Sequence, residues 1–169
     1  GAILRQPALF ESAVLIGVRP GLENAQEREE RVALDESRAK RLEDWGMERF
    51  MDWWETLPVI ASQARISPPV REEMRRARRS HWSPGLAACL REMGSGAMPS
   101  LWSQLSTLQV PTLLVTGEKD PGFSAIAEKM SQRGPWVRQA RVADAGHCVH
   151  WEQPALFREL LLSFLKTNA

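Results

Sequence analysis

The segment from Val110 to Asp120 constrains the fold most, because it is an apolar run that ends abruptly at Gly117 and a small charged cluster. Apolar and β-branched residues fill the run without strict alternation, which is typical of a parallel strand that is covered on both faces. Pro111 lies near the start of the run, where a missing backbone N–H is tolerated. The segment therefore predicts a buried parallel strand that places Asp120 just beyond its carboxyl end.

Two other segments predict strands, and the first of them is another buried apolar run. The run from Ser12 to Gly17 is continuously apolar after its first residue and closes on a glycine, which indicates a second buried strand. The run from Trp136 to Val142 indicates a third. Because helical patterns alternate with these runs, we expect three parallel strands with flanking helices in an α/β fold.

A capping residue predicts where the first long helix begins. Asn24 is suited to accept a backbone N–H of the first turn, and Glu27, three residues later, is placed to reach back to it. Gly46 should end this helix after Trp45.

Two more helices flank the third strand. One follows Asp120 and should stop at Gly134. The other begins with Pro154 in its first turn and carries an apolar stripe that is wide enough to lie on a sheet. The stripe consists of Leu156, Phe157, Leu160, Leu161, Phe164 and Leu165.

The region from Gly46 to Ser106 has no strand signal, and its apolar residues recur at helical spacing in short pieces separated by proline and glycine. We expect tryptophans to pack these short helices together. Five of the seven tryptophans fall in or beside this region: Trp45, Trp53, Trp54, Trp82 and Trp102. The predicted organisation is a core formed by residues 1–21 and 107–169, interrupted by a helical cap insertion over residues 22–106.

Composition excludes several classes of partner. The net charge is +1, so neither nucleic acid nor an anionic membrane is expected as a partner. No apolar run approaches the roughly 18 residues of a membrane-spanning helix, and no signal peptide pattern opens the chain. Two cysteines are too few for a disulfide framework. We therefore expect a cytoplasmic protein.

Asp120 and His147 are the candidate catalytic pair, because each follows a predicted parallel strand at the edge where open α/β sheets place their sites. In such a pair the carboxylate orients the imidazole, and the other ring nitrogen takes a proton. An acid after one strand and a histidine after the next follow the chain order of the triad in α/β-hydrolases.

A metal site is the alternative use of His147, Cys148 and His150, but these residues lack the paired spacing of zinc ligands. Cys148 is also badly placed to form a nucleophilic dyad with the adjacent His147. We expect Cys148 to be a small buried apolar residue. No metal is predicted at these residues.

Arginine supplies 18 of the 22 basic residues, and a guanidinium can hold a carboxylate through two hydrogen bonds. The basic run from Arg71 to Arg79 contains glutamates at helical spacing, which favours a solvated helix face from which one arginine could turn inward. Arg28 and Arg31 share one face of the capped helix. That face could be directed to solvent or to a pocket.

A nucleophile is missing from the pattern, since none of the thirteen serines lies in Gly-x-Ser-x-Gly, the turn that presents a hydrolase nucleophile. The backbone donors that would hold an oxyanion beside that turn are not recognisable either. Residues 1–6 read as the end of a helix without its beginning. We therefore expect an N-terminal portion of the same fold to be the partner of this chain.

The chain resembles the 2-succinyl-6-hydroxy-2,4-cyclohexadiene-1-carboxylate synthases, α/β-hydrolase-fold lyases of menaquinone and phylloquinone biosynthesis, as their C-terminal two-thirds. Two of the motifs are common to α/β-hydrolases: Gly117-Glu118-x-Asp120 with Phe123, and Gly146-His147-x-x-His150-x-Glu152-x-Pro154. The others are narrower: Arg19-Pro20-Gly21-Leu22-Glu23-Asn24-Ala25 with Arg28 and Arg31, Trp54 before Pro58, Ala61 and Ser62, Arg78 before Gly85-Leu86-Ala87, and Pro99-Ser100-Leu101-Trp102.

The resemblance implies a function and a set of site residues. Asp120 and His147 would be two members of the catalytic triad, while Arg31, Trp54 and Arg78 would line the pocket of a small polycarboxylate substrate. The family removes a proton from 2-succinyl-5-enolpyruvyl-6-hydroxy-3-cyclohexene-1-carboxylate and eliminates pyruvate, without a metal or organic cofactor. The chain departs from the family pattern at Gly122, where members often carry lysine, and in lacking the serine.

Two other functions stay open at this point. An ester or thioester hydrolase of the same fold would use Asp120 and His147 equally well, but it would not need the arginines. A truncated or split piece that acts only by association with another chain would not be an enzyme by itself. Residues 1–169 alone are expected to be inactive.

Overall fold

The computed structural model describes residues 1–168, and the chain divides into two compact units. The first unit combines Gly1–Arg19 with the chain from Leu101 onward, and the second is Pro20–Ser100. The sequence-based assignment of residues 22–106 as a cap over a core stays a prediction. No helix among the described residues is long and apolar enough to cross a membrane.

Three parallel strands form the sheet of the first unit, in the order β1-β2-β3. Their bounds are β1, Ala13–Ile16; β2, Thr112–Gly117; and β3, Val137–Val142. In register, Val14 lies beside Leu113 and Leu113 lies beside Arg138. All three predicted strands are present, and Pro111 directly precedes β2 instead of lying within it.

β2 is buried along its whole length because apolar clusters cover both of its faces. Leu114 belongs to a cluster with Trp102, Leu105 and Met130, while the neighbouring Leu113 and Val115 belong to another. The predicted burial of β2 is confirmed. The same prediction for β1 is wrong, since every residue of this edge strand is only half-buried.

The first unit also contains four α-helices and two short 3₁₀ segments. The helices are α1, Ala2–Arg5; α6, Pro121–Arg133; α7, Val149–Glu152; and α8, Pro154–Asn168. The 3₁₀ segments are Pro7–Leu9 and Trp102–Thr107. Gly134 follows α6 as predicted, whereas α7 was not predicted.

The apolar stripe of α8 is narrower than predicted. Phe157, Leu160 and Phe164, at positions i, i+3 and i+7, pack against the cluster that contains Val115. Leu156 and Leu165 are 44% and 40% exposed, so they do not take part in that packing.

The second unit contains helices and no strand among its described residues, as predicted. Its helices are α2, Ala25–Trp54; α3, Pro58–Ala61; α4, Pro68–Arg79; and α5, Ser83–Glu92, with a 3₁₀ segment at Ser62–Arg65.

α2 begins as predicted and is interrupted at the predicted residue. The Asn24 side chain caps it by accepting the N–H of Gln26 at 2.7 Å, and no reciprocal bond from Glu27 is found in the described residues. The predicted stop at Gly46 is confirmed, since Gly46 leaves helical geometry with φ 73° and ψ 171°. A second helical segment follows at once, so α2 consists of two helices that meet at a kink.

Apolar packing and ion pairs hold α5 to α2. Ala87 of α5 is buried with Leu42 and Phe50, and Arg91 of α5 binds Glu36 and Glu43. Rings of Trp45, Trp53 and Trp54 contact one another or Phe50, which agrees with the packing role predicted for tryptophan. Trp82 is 75% exposed and does not share it.

The basic run of α4 is not simply a solvated face. Arg75 pairs with Glu55 at 2.7 Å, and Arg79 pairs with Glu48 at 2.9 Å and with Asp52. All of these acids belong to the end of α2 or the residue after it. The run therefore joins two helices, because each guanidinium finds a carboxylate on the neighbouring element.

Candidate active site

Asp120 is placed by two elements at once. β2 ends at Gly117, and Asp120 is the residue before α6. Its Oδ1 accepts the backbone N–H of Phe123 at 3.2 Å, which caps the helix. This bond leaves the other oxygen, Oδ2, for a partner outside the helix.

That partner is His147, which lies in the loop after β3. Its Nδ1 is 2.8 Å from Oδ2 of Asp120, and the two side chains are 26% and 11% exposed. With a carboxylate at Nδ1, the neutral imidazole carries its proton there and leaves Nε2 as a proton acceptor. The structure thus brings together the two residues that the sequence pairs, at the carboxyl edge of the sheet.

Phe123 and Gly17 lie close to the imidazole of His147. The ring of Phe123 lies 4.5 Å from that of His147, centroid to centroid, and the Arg19 guanidinium lies 5.4 Å from the Phe123 centroid. Gly17 adopts φ 57°, and a Cβ there would come within 2.7 Å of His147 Cε1. Sequence reasoning missed this role of Gly17, although a glycine directly after a strand was a usable signal.

The loop that carries His147 is fixed by its backbone. The Lys119 N–H donates to Ala145 O at 2.8 Å. The Glu152 carboxylate accepts the N–H of Gly146 at 2.8 Å and the N–H of Cys148 at 3.1 Å. Gly117 permits this close approach, because a side chain there would collide with the Ala145 and Gly146 carbonyls.

The residues around His147 do not form a metal site. In the described part of the chain, no group of three or more His, Cys, Asp or Glu side chains is placed to hold a metal ion. His150 contacts Phe157 ring to ring, and partial burial lowers the pKa of His150. Cys148 is half-buried, so the prediction of a buried residue is wrong.

Arg31 and Arg38 share a buried carboxylate in the second unit. Asp35 is 1% exposed, and both of its oxygens accept from Arg31 Nε, at 2.9 and 2.8 Å. Arg38 Nη1 donates to the same carboxylate at 3.4 Å. Burial, and secondarily the Arg31 charge, lower the pKa of Arg38. Arg28 donates instead to Leu22 O at 3.1 Å.

Trp54 and Arg78 line one cavity of about 200 Å³ in the second unit. The Arg38 guanidinium lies 5.4 Å from the Trp54 ring, so the cluster around Asp35 reaches this wall of the cavity. Arg78 donates to Gln63 Oε1 at 2.6 Å and lies 3.9 Å from Glu55. Of the run from Arg71 to Arg79, Arg78 is thus an arginine that turns toward a cavity.

The parallel sheet with an acid and a histidine beyond successive strands defines an α/β-hydrolase fold, and solved structures confirm it. MenH from S. aureus superimposes with a TM-score of 0.90 at 35% identity, over 93% of this chain and 59% of that one. A malate-bound thermophilic esterase from Thermogutta terrifontis, at 24% identity, has a TM-score of 0.72 over 93% of this chain and 56% of its own. At this identity, the likeness to the esterase supports only the assignment of the fold.

Proteins of similar sequence point to one group of enzymes within the α/β-hydrolase fold. A Bacillus subtilis (strain 168) protein, provisionally named a 2-succinyl-6-hydroxy-2,4-cyclohexadiene-1-carboxylate synthase, is 38% identical over 159 residues. A Yersinia pestis (strain Pestoides F) synthase of that name is 30% identical over 160 residues. The chain is thus a relative of these synthases, as its motifs predicted.

The matches cover the chain more fully than they cover the relatives. They include 94% and 95% of this chain, but only 58% and 56% of the Bacillus and Yersinia proteins. The chain therefore spans less than three fifths of the length of these curated relatives. A comparison with models of known protein families finds no match.

Proposed function

We propose that this chain supplies the general base and the carboxylate-binding arginines of a pyruvate-eliminating lyase in menaquinone or phylloquinone biosynthesis. The observation that carries the proposal is the 2.8 Å contact between His147 Nδ1 and Asp120 Oδ2. The similarity to named synthases supports the choice of reaction over others that the same pair could serve.

The proposed reaction needs a base and no redox partner. His147 Nε2 receives a proton from the ring of 2-succinyl-5-enolpyruvyl-6-hydroxy-3-cyclohexene-1-carboxylate, and Asp120 stabilises the resulting imidazolium. The electron pair of the C2–H bond forms a C2=C3 double bond, the C3=C4 pair shifts to C4=C5, and the C5–O bond to the enolpyruvyl group breaks. Pyruvate leaves as its enolate and takes up a proton, and 2-succinyl-6-hydroxy-2,4-cyclohexadiene-1-carboxylate remains.

The substrate carries several carboxylates, for which we propose Arg31, Arg78 and Trp54 as contacts. The cavity wall shared by Trp54 and Arg78 supports this assignment. Arg31 is held through Nε by Asp35, which leaves the Nη edge of its guanidinium for a carboxylate. Arg28 is the alternative to Arg31.

We further propose that the nucleophile serine is supplied by an N-terminal portion of the same fold and that residues 1–169 alone are inactive. None of the thirteen serines lies in Gly-x-Ser-x-Gly. Reading the coding sequence directly upstream of Gly1 for this motif is the simplest test. If the motif is absent there, the chain would instead be a split or non-catalytic piece that acts by association.

Pyruvate release distinguishes the lyase from an ester hydrolase. The protein that includes the upstream residues should release pyruvate from the enolpyruvyl substrate and should leave a neutral aryl ester largely intact. Ester turnover without pyruvate release would contradict the proposed reaction and favour the hydrolase.

Removing one arginine should weaken use of the polycarboxylate substrate. We expect Arg31→Ala and Arg78→Ala each to lower kcat/KM by an amount that corresponds to about 2–4 kcal/mol of lost transition-state stabilisation, since each leaves a carboxylate without its charged hydrogen bond. Arg28→Ala is the matched control and should have a small effect. If Arg28→Ala shows the large loss and Arg31→Ala does not, the two assignments must be exchanged. An equal loss with a neutral ester would indicate a folding defect.

A further inference from the structure

Glu152 holds the backbone on both sides of His147. Its two carboxylate oxygens accept separate N–H groups, Oε2 from Gly146 at 2.8 Å and Oε1 from Cys148 at 3.1 Å. These donors are the residues immediately before and after His147. Glu152 therefore holds the backbone on both sides of the histidine.

This arrangement differs from ordinary helix capping. Cys148 is the N-cap of α7, and a capping box would use the side chain of the third helical residue, Trp151. Glu152 is one residue further along and also binds Gly146, which lies outside the helix. The bond from the Gly146 N–H has no role in helix capping. It holds the loop that carries His147.

The remaining contacts of the loop make Glu152 decisive for its position. The Lys119 N–H holds Ala145 O from the side of β2, one residue before Gly146. Between that bond and α7, the Glu152 carboxylate accepts both of the backbone N–H groups that flank His147. Hydrogen bonds to an ionised acceptor are stronger than those between neutral groups. Loss of the charge would therefore loosen the segment that presents the imidazole.

We propose that Glu152 is a positioning residue that keeps His147 within hydrogen-bond distance of Asp120. The inference rests on the proposed catalytic use of that pair. Its structural part can be measured on this chain alone, without any activity.

The first test is hydrogen exchange, followed by mass spectrometry, of the segment that contains Gly146 and Cys148. Glu152→Gln keeps the size of the side chain but removes its charge and one acceptor, so exchange in this segment should accelerate at least ~10-fold while exchange in β2 stays unchanged. Glu159→Gln, on an exposed face of α8, is the matched control and should change neither. Unchanged exchange near His147, or equal acceleration in β2, would overturn the proposal.

The second test is kinetic and uses the protein with its upstream residues. We expect Glu152→Gln to lower kcat for pyruvate release on the order of 10²-fold, with little change in KM, because the base is misplaced while the substrate contacts remain. Glu152→Asp keeps the charge and should recover part of that loss. A change confined to KM would overturn the positioning role. No pyruvate release by the unmodified protein would count against the proposed function, but the exchange result would stand.

Discussion

A single carboxylate at Asp120 connects helix and active site. One oxygen accepts the N–H of Phe123 and caps α6, while the other binds His147. The helix therefore fixes the rotamer that the histidine needs. A change at Asp120 would therefore alter both the cap of α6 and the orientation of the imidazole.

The pairing of Asp120 with His147 could be predicted from the sequence, because the carboxyl ends of parallel strands meet at one edge of a sheet. The contacts made by Gly17 and Glu152 could not. These contacts depend on how closely segments that are far apart in the chain approach one another in space. A single sequence does not reveal that spatial separation. The contact of Arg31 could be predicted only in part. Its i,i+4 spacing from Asp35 is visible in the sequence, but the burial of Asp35 is not.

Gly17→Ala should displace the imidazole. The added Cβ would lie 2.7 Å from His147 Cε1, in a backbone conformation with φ 57° that disfavours alanine. We expect pyruvate release by the protein with its upstream residues to fall about 10²-fold. Gly122→Ala is the control, since its Cβ would meet only Asp120 Oδ1, at 3.9 Å. Equal activity of the two variants would show that the ring tolerates the displacement.

At the scale of elements, the second unit shows where local rules fail. Gly46 does break the helix, as its type predicts, but residues after it resume helical geometry and the result is a kink in α2. The arginines of α4 form ion pairs with acids around the end of α2, which spacing within α4 alone could not reveal. For α4, the neighbouring helix and not the local sequence decides how the arginines pair.

The contact between α7 and α8 should make stability depend on pH. Burial lowers the pKa of His150, so below its ordinary value of about 6.5 the unfolded chain binds more protons than the folded chain. The contribution of His150 is complete above that pH and is lost as the pH falls through it.

Urea unfolding at pH 7.5 and 5.5 measures this effect. The free energy of unfolding should fall less between these pH values in His150→Gln than in the unmodified chain. His81→Gln, at an exposed histidine of the second unit, is the control and should behave like the unmodified chain. Identical pH dependence of His150→Gln and the unmodified chain would contradict the prediction.

At the scale of the whole molecule, β1 is a free edge of the sheet. Ala13 and Gly17 donate to Pro111 O and Val115 O of the β2 segment, at 2.9 and 3.1 Å. Because backbone groups alternate along a strand, those of Val14 and Ile16 point away from β2. Such an edge favours pairing with another chain. The three strands were predicted from the sequence, whereas the half-buried state of β1 follows from its position at the edge of the sheet.

We expect the isolated chain to associate through β1. Light scattering coupled to size exclusion should show a mass above that of a monomer that rises with concentration. Val14→Pro removes an outward N–H and should reduce association, whereas Ala13→Pro removes the donor to Pro111 O and should instead destabilise the sheet. Adding the upstream residues should also reduce association. A strictly monomeric unmodified chain would contradict this prediction.

Pyruvate release by Asp120→Asn and His147→Ala, in the protein that includes the upstream residues, tests the central claim most directly. Asp120→Asn leaves the imidazole in the wrong tautomer and should lower kcat about 10⁴-fold, by analogy with other triads. His147→Ala should remove nearly all turnover, while circular dichroism confirms that both variants remain folded. Pyruvate release at the unmodified rate in either folded variant would show that the pair does not perform the reaction.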